Sequence, residues 1–220
     1  MSAEIELKLA VATEQVAPLL AWLEHEAGPA VQQTLRNIYL DTPDLALHRQ
    51  RTALRLREVS RDGSAHWVQT LKTAGRSVDG LVMRNEWECG IAAAALEPDR
   101  FPPAAQAVLQ PLVTTPLPIF RTDFLRHTWR VPVQGGTVEI AFDEGAVTLM
   151  ERAEHASLPI RELELEWLSA SDNPDADPTA TAVAGLRALA ARLDVVGPFV
   201  PSDASKAERG YQLYLEYQRS

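Results

Sequence analysis

Glu4-Ile5-Glu6-Leu7-Lys8, near the start of the chain, alternates charged and apolar side chains with period two. As a β-strand it puts Ile5, Leu7 and Leu9 on one face and Glu4, Glu6 and Lys8 on the other. A solvated outer face explains one such strand. The pattern returns, however, in Leu54-Arg55-Leu56-Arg57, Arg84-Asn85-Glu86-Trp87-Glu88 and Glu162-Leu163-Glu164-Leu165-Glu166. Surface strands mix Thr, Ser, Gln and Lys, whereas these carry almost pure Arg and Glu on one face. The charges also separate by sign, with Arg55, Arg57 and Lys72 on one hairpin and Glu162, Glu164 and Glu166 on a later strand.

Outward from the first strand, Val16, Leu19, Leu20 and Leu23 make an apolar stripe at helical spacing over 14–27. Pro18 places the start of that helix near itself, and Gly28-Pro29 ends it. Strands are predicted over 32–41, 52–59, 65–73 and 82–89, the middle two forming a hairpin through Arg61-Asp62-Gly63-Ser64. A short helix over 98–111 precedes a Thr/Pro-rich connection to 118. Strands at 120–132 and 137–143 join through Gln134-Gly135-Gly136, and a third, 146–153, extends the meander before the Glu-rich strand 160–168. The loop 173–178 ends in Asp177-Pro178, an N-cap and first-turn proline for a helix carrying Val183, Leu186, Ala190 and Leu193. Ser205 and Glu208 fit a capping box for a last helix.

The 220 residues suit one domain spanning 1–220, and no repeat or linker divides them. With so many alternating strands and only four helices to cover them, an open sheet leaves apolar faces bare. A closed antiparallel β-barrel of the α+β class solves this, with helices packed outside and charged positions lining a lumen. Buried charges cost several kcal/mol each unless paired or bound to counter-ions. A lumen with an acidic and a basic wall would take a hard cation such as Mg²⁺ or Mn²⁺ together with a phosphate-rich anion. The net charge of −9 argues against a nucleic-acid surface, and no apolar run long enough for a membrane helix occurs. With one cysteine, Cys89, and no secretory signal pattern, a cytoplasmic location is expected. His25, His48, His66, His127 and His155 show no ligand spacing and are assigned to the surface.

Glu4-x-Glu6-x-Lys8 resembles the ExExK signature of the CYTH superfamily, the triphosphate tunnel metalloenzymes. In the family's order follow Tyr39-Leu40-Asp41-Thr42, Leu54-Arg55-Leu56-Arg57, Thr70-Leu71-Lys72, Arg84-x-Glu86-x-Glu88, Asp143, Glu162-x-Glu164-x-Glu166 and Ser205-Lys206. The resemblance implies an eight-stranded antiparallel tunnel. Thr70-Leu71-Lys72 and the closing stretch 205–211 are most similar to bacterial inorganic triphosphatases. Those proteins often carry a C-terminal polyphosphate-binding CHAD domain, so this chain is a stand-alone form or part of a longer protein.

From that resemblance, Glu4, Glu6, Glu162, Glu164 and Glu166 form the expected metal-binding set, and Lys8, Arg55, Arg57, Lys72, Arg84, Arg126 and Lys206 the expected phosphate set. For Arg126 the family usually shows a basic residue two positions earlier, where this chain has Phe124, and Arg121 is the alternative. Glu6 and Asp143 are candidates to activate water, Lys72 counts among the catalytic residues as well, and Glu86, Glu88 and Glu139 are further tunnel acids. The implied reaction is metal-dependent hydrolysis of inorganic triphosphate, with polyphosphate as a related substrate. The alternatives are an adenylate cyclase, a thiamine or nucleoside triphosphatase, or a polyphosphate-binding module without turnover.

Overall fold

The computed structural model describes residues 2–111, 116–150, 157–170 and 177–219. Strands β1 (Ser2–Ala10), β2 (Val31–Asp41), β3 (Ala53–Arg61), β4 (Ser64–Lys72), β5 (Arg76–Val78), β6 (Leu81–Ile91), β7 (Leu117–Val133), β8 (Gly136–Leu149), β9 (Ser157–Ala170) and β10 (Val200–Pro201) form one antiparallel sheet. Its order is β10-β1-β9-β8-β7-β2-β3-β4-β6-β5, and an added pairing of β1 with β6 closes eight of the strands into a ring. The short β5 and β10 are appended at the rim. Closure leaves the eight barrel strands without a free edge.

Register fixes which side chains face inward. Lys8 pairs across from Glu164, Glu4 from Arg84, Arg126 from Asp143, Asp143 from Glu162, Tyr39 from Arg55 and Lys72 from Glu86. A one-residue slip in any strand would reverse its faces, so these pairings commit the paired charges named here to the same side.

The outward face is apolar and covered. Helices α1 (Val16–Ala27) and α4 (Pro178–Leu193) bury Leu19, Leu23, Leu186 and Leu189 against Ile5, Leu7, Ile140, Phe142, Leu163 and Leu165. Helix α3 (Pro103–Leu109) covers Leu40, Leu54, Leu56 and Leu71. Each fully buried leucine contributes roughly 1.5–3 kcal/mol. The last helix, α5 (Lys206–Gln218), sits differently. Its Tyr211 and Leu213 pack with Leu35, Tyr39, Phe120, Phe124 and Val147, which lie on the charged, inward side of their strands. There is no room for a side chain at Gly210, where a Cβ would collide with the Phe120 ring.

Most expected elements are found, with local differences. The helix over 98–111 is a 3₁₀ turn at Pro98–Arg100 followed by α3, because the Pro102-Pro103 pair interrupts it. The strands 137–143 and 146–153 are a single β8 as far as Leu149; Met150 is a bend, and 151–153 lie outside the described residues. Gly145 does not break it: a Cβ there would strike Asp123 O and Phe124, so glycine lets β7 lie close alongside. The 112–115 part of the Thr/Pro-rich connection, and 173–176 of the loop before α4, also lie outside the described residues, while Asp177 caps α4 as expected. A short helix, α2 (Ala46–Arg49), was not expected; buried Asp41 holds it by accepting from the backbone N–H of Leu47 and His48. No helix among the described residues is long and apolar enough to cross a membrane.

Candidate active site

The ring encloses a cavity of about 1260 Å³ lined by residues of β1–β4, β6–β9 and α5. Lys8 and Glu6 are only 2% and 3% exposed, and Asp143 is fully buried. Such charges persist because they meet one another.

Four clusters divide the lumen. Glu4 accepts from Lys72 Nζ at 2.9 Å and from Arg84 Nε at 2.8 Å. Burial would raise its pKa, but Lys72 and Arg84 hold the carboxyl far below the ordinary range. Arg84 also reaches Glu6 at 3.2 Å, and Lys8 lies 3.5 Å from Glu6. Farther along, Lys206 Nζ contacts Asp143 at 2.6 Å, Glu164 at 2.9 Å and Glu162, while Arg126 forks onto both Asp143 oxygens at 2.7 Å and onto Glu164 at 2.5 Å. Arg209 adds a contact to Glu162. Against the effect of burial, Lys206, Arg126 and Lys8 push the Glu164 carboxyl well down, and Arg126 and Lys206 do the same to Asp143.

The third cluster is basic. Arg55 lies 3.6 Å from Glu86 and 3.8 Å from Glu88, and Glu88 also accepts from Thr70. Its neighbour Arg57 meets an amide, donating from Nε to Asn37 Oδ1 at 2.6 Å. Burial and the like charges of Arg55 and Arg126 lower the Arg57 pKa to about 10. The buried Tyr39 phenol stands opposite Arg55; burial raises its pKa, but Arg55, Arg57 and Lys206 outweigh that and bring it below the ordinary value. The fourth cluster is Glu166. Burial and the charges of Glu4, Glu6 and Glu86, only partly offset by Lys72, push its carboxyl up to about 7.

Two observations test the fit of a hard divalent cation. Ligand oxygens of Asp143, Glu162 and Glu164 all lie within 4.8 Å of one another, a hard-oxygen donor set. Glu166 is crowded by other carboxylates, a cost that a divalent cation would relieve. The acidic side of the lumen fits such an ion.

The CYTH domain model matches residues 2–211. The chain belongs to the CYTH family. An inorganic triphosphatase of Haemophilus influenzae is 32% identical over 223 residues, covering 97% of this chain and 55% of that protein. The chain therefore spans about half the length of this curated relative. A proposed adenylyl cyclase from Hippeastrum with a dominant triphosphatase activity has a similar structure (TM-score 0.64, 20% identity, 95% of each chain). So does a protein of Pyrococcus horikoshii (0.60, 18%, 99% of each) and, at 9% identity over 89% of each chain, the Mimivirus capping enzyme triphosphatase (0.54). At these identities the likeness shows the CYTH fold alone.

Within this CYTH barrel, Glu4, Glu6, Lys8, Arg55, Arg57, Lys72, Arg84, Glu86, Glu88, Arg126, Glu139, Glu164, Glu166 and Lys206 all line the cavity. Asp143 and Glu162 stand behind this surface, in contact with Lys206. Glu139 is near one mouth and pairs with exposed Arg130 at 3.3 Å. Arg121 has the opposite strand parity from Arg126 and pairs with Asp123. It is not part of the lumen; Phe124 there is a partner rather than a vacancy, its ring 4.9 Å from Lys206 Nζ. Two histidines depart from the surface assignment: His48 is half-buried and stacks on Tyr211 at 4.3 Å, and His127 is half-buried beside Trp129 and Phe142. His155 lies outside the described residues. Asn37, Thr122 and Arg209 were missed. Each is ordinary alone: only strand register brings Asn37 to Arg57 and to the Thr122 carbonyl, and only the seating of α5 brings Arg209 to Glu162.

Proposed function

We propose that the chain hydrolyses inorganic triphosphate to diphosphate and phosphate with Mg²⁺ or Mn²⁺. The observation that carries this reading is a single lumen lined by Glu4, Glu6, Glu164 and Glu166 and by a row of Arg and Lys side chains, with Asp143 and Glu162 close behind Glu164. The Haemophilus relative, named for triphosphate hydrolysis, supports it. A cytoplasmic setting and a single tunnel domain over 1–220 are parts of the same reading.

Glu4, Glu6, Glu162, Glu164 and Glu166, joined by Asp143, are the residues that would hold the metal. When bound, the ion would neutralise charge on phosphate oxygens and polarise the reacting phosphoryl group. Arg55, Arg57, Lys72, Arg84, Arg126, Lys8 and Lys206 position the anion, the arginines by two-pronged hydrogen bonds and the lysines as point charges. Glu6 orients the attacking water. Asp143 serves this role less well, because both of its oxygens are occupied by Arg126 and one also meets Lys206. Lys72, between Glu4 and Glu86, stands ready to compensate charge developing on the leaving group.

The deciding assay is phosphate release from triphosphate, ATP, thiamine triphosphate and long-chain polyphosphate, with Mg²⁺, Mn²⁺ and EDTA in parallel. Rapid, metal-dependent release from triphosphate is expected. Preference for ATP or thiamine triphosphate would replace the substrate and keep the site. Binding of polyphosphate without release would reduce the protein to a binding module.

A further inference from the structure

Among the seven cations of the phosphate set, Arg57 stands apart. Lys8, Arg55, Lys72, Arg84, Arg126 and Lys206 each have a carboxylate partner. Arg57 makes no ion pair among the described residues, and its one side-chain hydrogen bond there runs from Nε to Asn37 Oδ1. Its terminal nitrogens, the pair that would fork onto a phosphate, are left for a ligand.

Asn37 is 1% exposed, in the middle of a strand, where asparagine is disfavoured. Both ends of its amide are used: Nδ2 donates to the Thr122 carbonyl of β7 at 3.0 Å, and Oδ1 accepts from Arg57 of β3. Asn37 is in register with both residues, so the amide spans three adjacent strands in one line. An aspartate in its place would accept the same bond from Arg57 but would cancel its charge and lose the donor to Thr122. A threonine or valine would suit the strand better but would leave the guanidinium without its anchor.

We propose that Asn37 is a positioning residue, a neutral clamp that fixes Arg57 through Nε and keeps its positive charge free for a phosphate oxygen of the substrate. This rests on the triphosphate reading. The lowered Arg57 pKa, caused by burial and by Arg55 and Arg126, agrees with a cation that Glu88 and Tyr39 offset only in part.

The test is calorimetric binding of inorganic tripolyphosphate in EDTA, where no metal-dependent turnover occurs. It compares the natural protein with Asn37→Asp, Asn37→Ala, Arg57→Gln and the Asn37→Ala/Arg57→Gln double variant, each checked for folding by its thermal midpoint. Asn37→Asp is expected to weaken tripolyphosphate about tenfold or more, since it turns a free cation into a neutralised pair. With metal present, KM should rise by a similar factor while kcat changes far less. Asn37→Ala should weaken binding in the natural background and add less than about twofold once Arg57 is Gln, because the two residues act as one unit. Unchanged affinity in folded Asn37→Asp and Asn37→Ala would overturn the inference, as would an equal loss from Asn37→Ala in both backgrounds. If the natural protein neither bound nor hydrolysed tripolyphosphate, the triphosphate reading would fail and take this inference with it.

Discussion

At one end of the β9 carboxylate row, Glu162 and Glu164 share Lys206, with Arg126 and Arg209 beside them. At the other, Glu166 has no ion pair among the described residues and feels Glu4, Glu6 and Glu86. Three glutamates on one face of one strand would repel one another in either place. The fold answers with a built-in ammonium at the first end, which holds Glu164 down while burial and Glu164 still raise Glu162, and with a bound proton near neutrality at the second. A site that carries its own cation is stable without ligand, whereas one that keeps a proton is waiting for a cation to replace it.

The sharpest way to break this contrast is to remove the same charge at each end. Glu164→Gln strips an acceptor from Arg126 and Lys206, leaving buried cations short of a partner. Loss of about 3–5 kcal/mol is expected in urea unfolding at neutral pH. As a member of the proposed metal set, Glu164→Gln should also cut metal-dependent triphosphate turnover at least about 100-fold. Full turnover in a folded Glu164→Gln or Glu4→Ala protein would remove these residues from the metal set.

Lys206→Met tests the built-in cation directly. Without it Asp143, Glu162 and Glu164 face one another with less compensation, and a loss of about 3 kcal/mol is expected at pH 7. Asp143 and Glu164 have lowered pKa values in the folded protein, so the stability they contribute is present above the ordinary carboxylate pKa and fades as pH falls through their folded values. Lys206→Met raises those folded values toward the ordinary one. Its deficit should therefore shrink in acid, where the natural protein loses the same stabilisation. A deficit independent of pH would mean that Lys206 acts by packing on Phe124 rather than by charge.

Lys206 reaches this position because α5 seats on the lumen side. Gly210→Ala drives a methyl group into Phe120 and should cost about 1–3 kcal/mol by forcing the helix or the ring to shift. If the seat also aims Lys206, the variant should show a smaller acid-side loss of stability, measured by thermal melts across pH. An unchanged pH profile would separate seating from aiming.

How much of this was legible in the sequence follows from the period-two rule. Alternation in 4–8 and 162–166 assigned the charged faces, and closure followed from counting faces that needed cover, so barrel and lumen were readable before any contact was known. Capping chemistry gave Ser205 and Asp177 directly. Helix α5 was readable as a helix but not as the one resting on the inward face, since Leu35, Phe120 and Phe124 read as ordinary strand residues until register shows their side. The same limit hid Asn37 and Arg209: cross-strand partners depend on register, which a single strand does not contain. Metal-ligand sequence spacing was also a weak guide, because Asp143 joins Glu162 and Glu164 through β8–β9 pairing.

The effect at the other end of the row has the opposite sign. The Glu166 carboxyl titrates at about 7 in the folded protein against an ordinary 4.5. A raised acid pKa contributes stability that is complete below the ordinary value and is lost as pH climbs through the folded one. Glu166→Gln cannot ionise, so it should match the natural protein below about pH 4 and pull ahead as pH climbs past 7, by up to about 3 kcal/mol for a shift of this size, in EDTA. Added Mg²⁺ should abolish or reverse that advantage, because the ion stabilises the carboxylate and finds one ligand fewer in the variant. A Gln variant that stays ahead with saturating metal would show that Glu166 is crowded for another reason, and the ion-holding end of the row would then have to be sought among Asp143, Glu162 and Glu164.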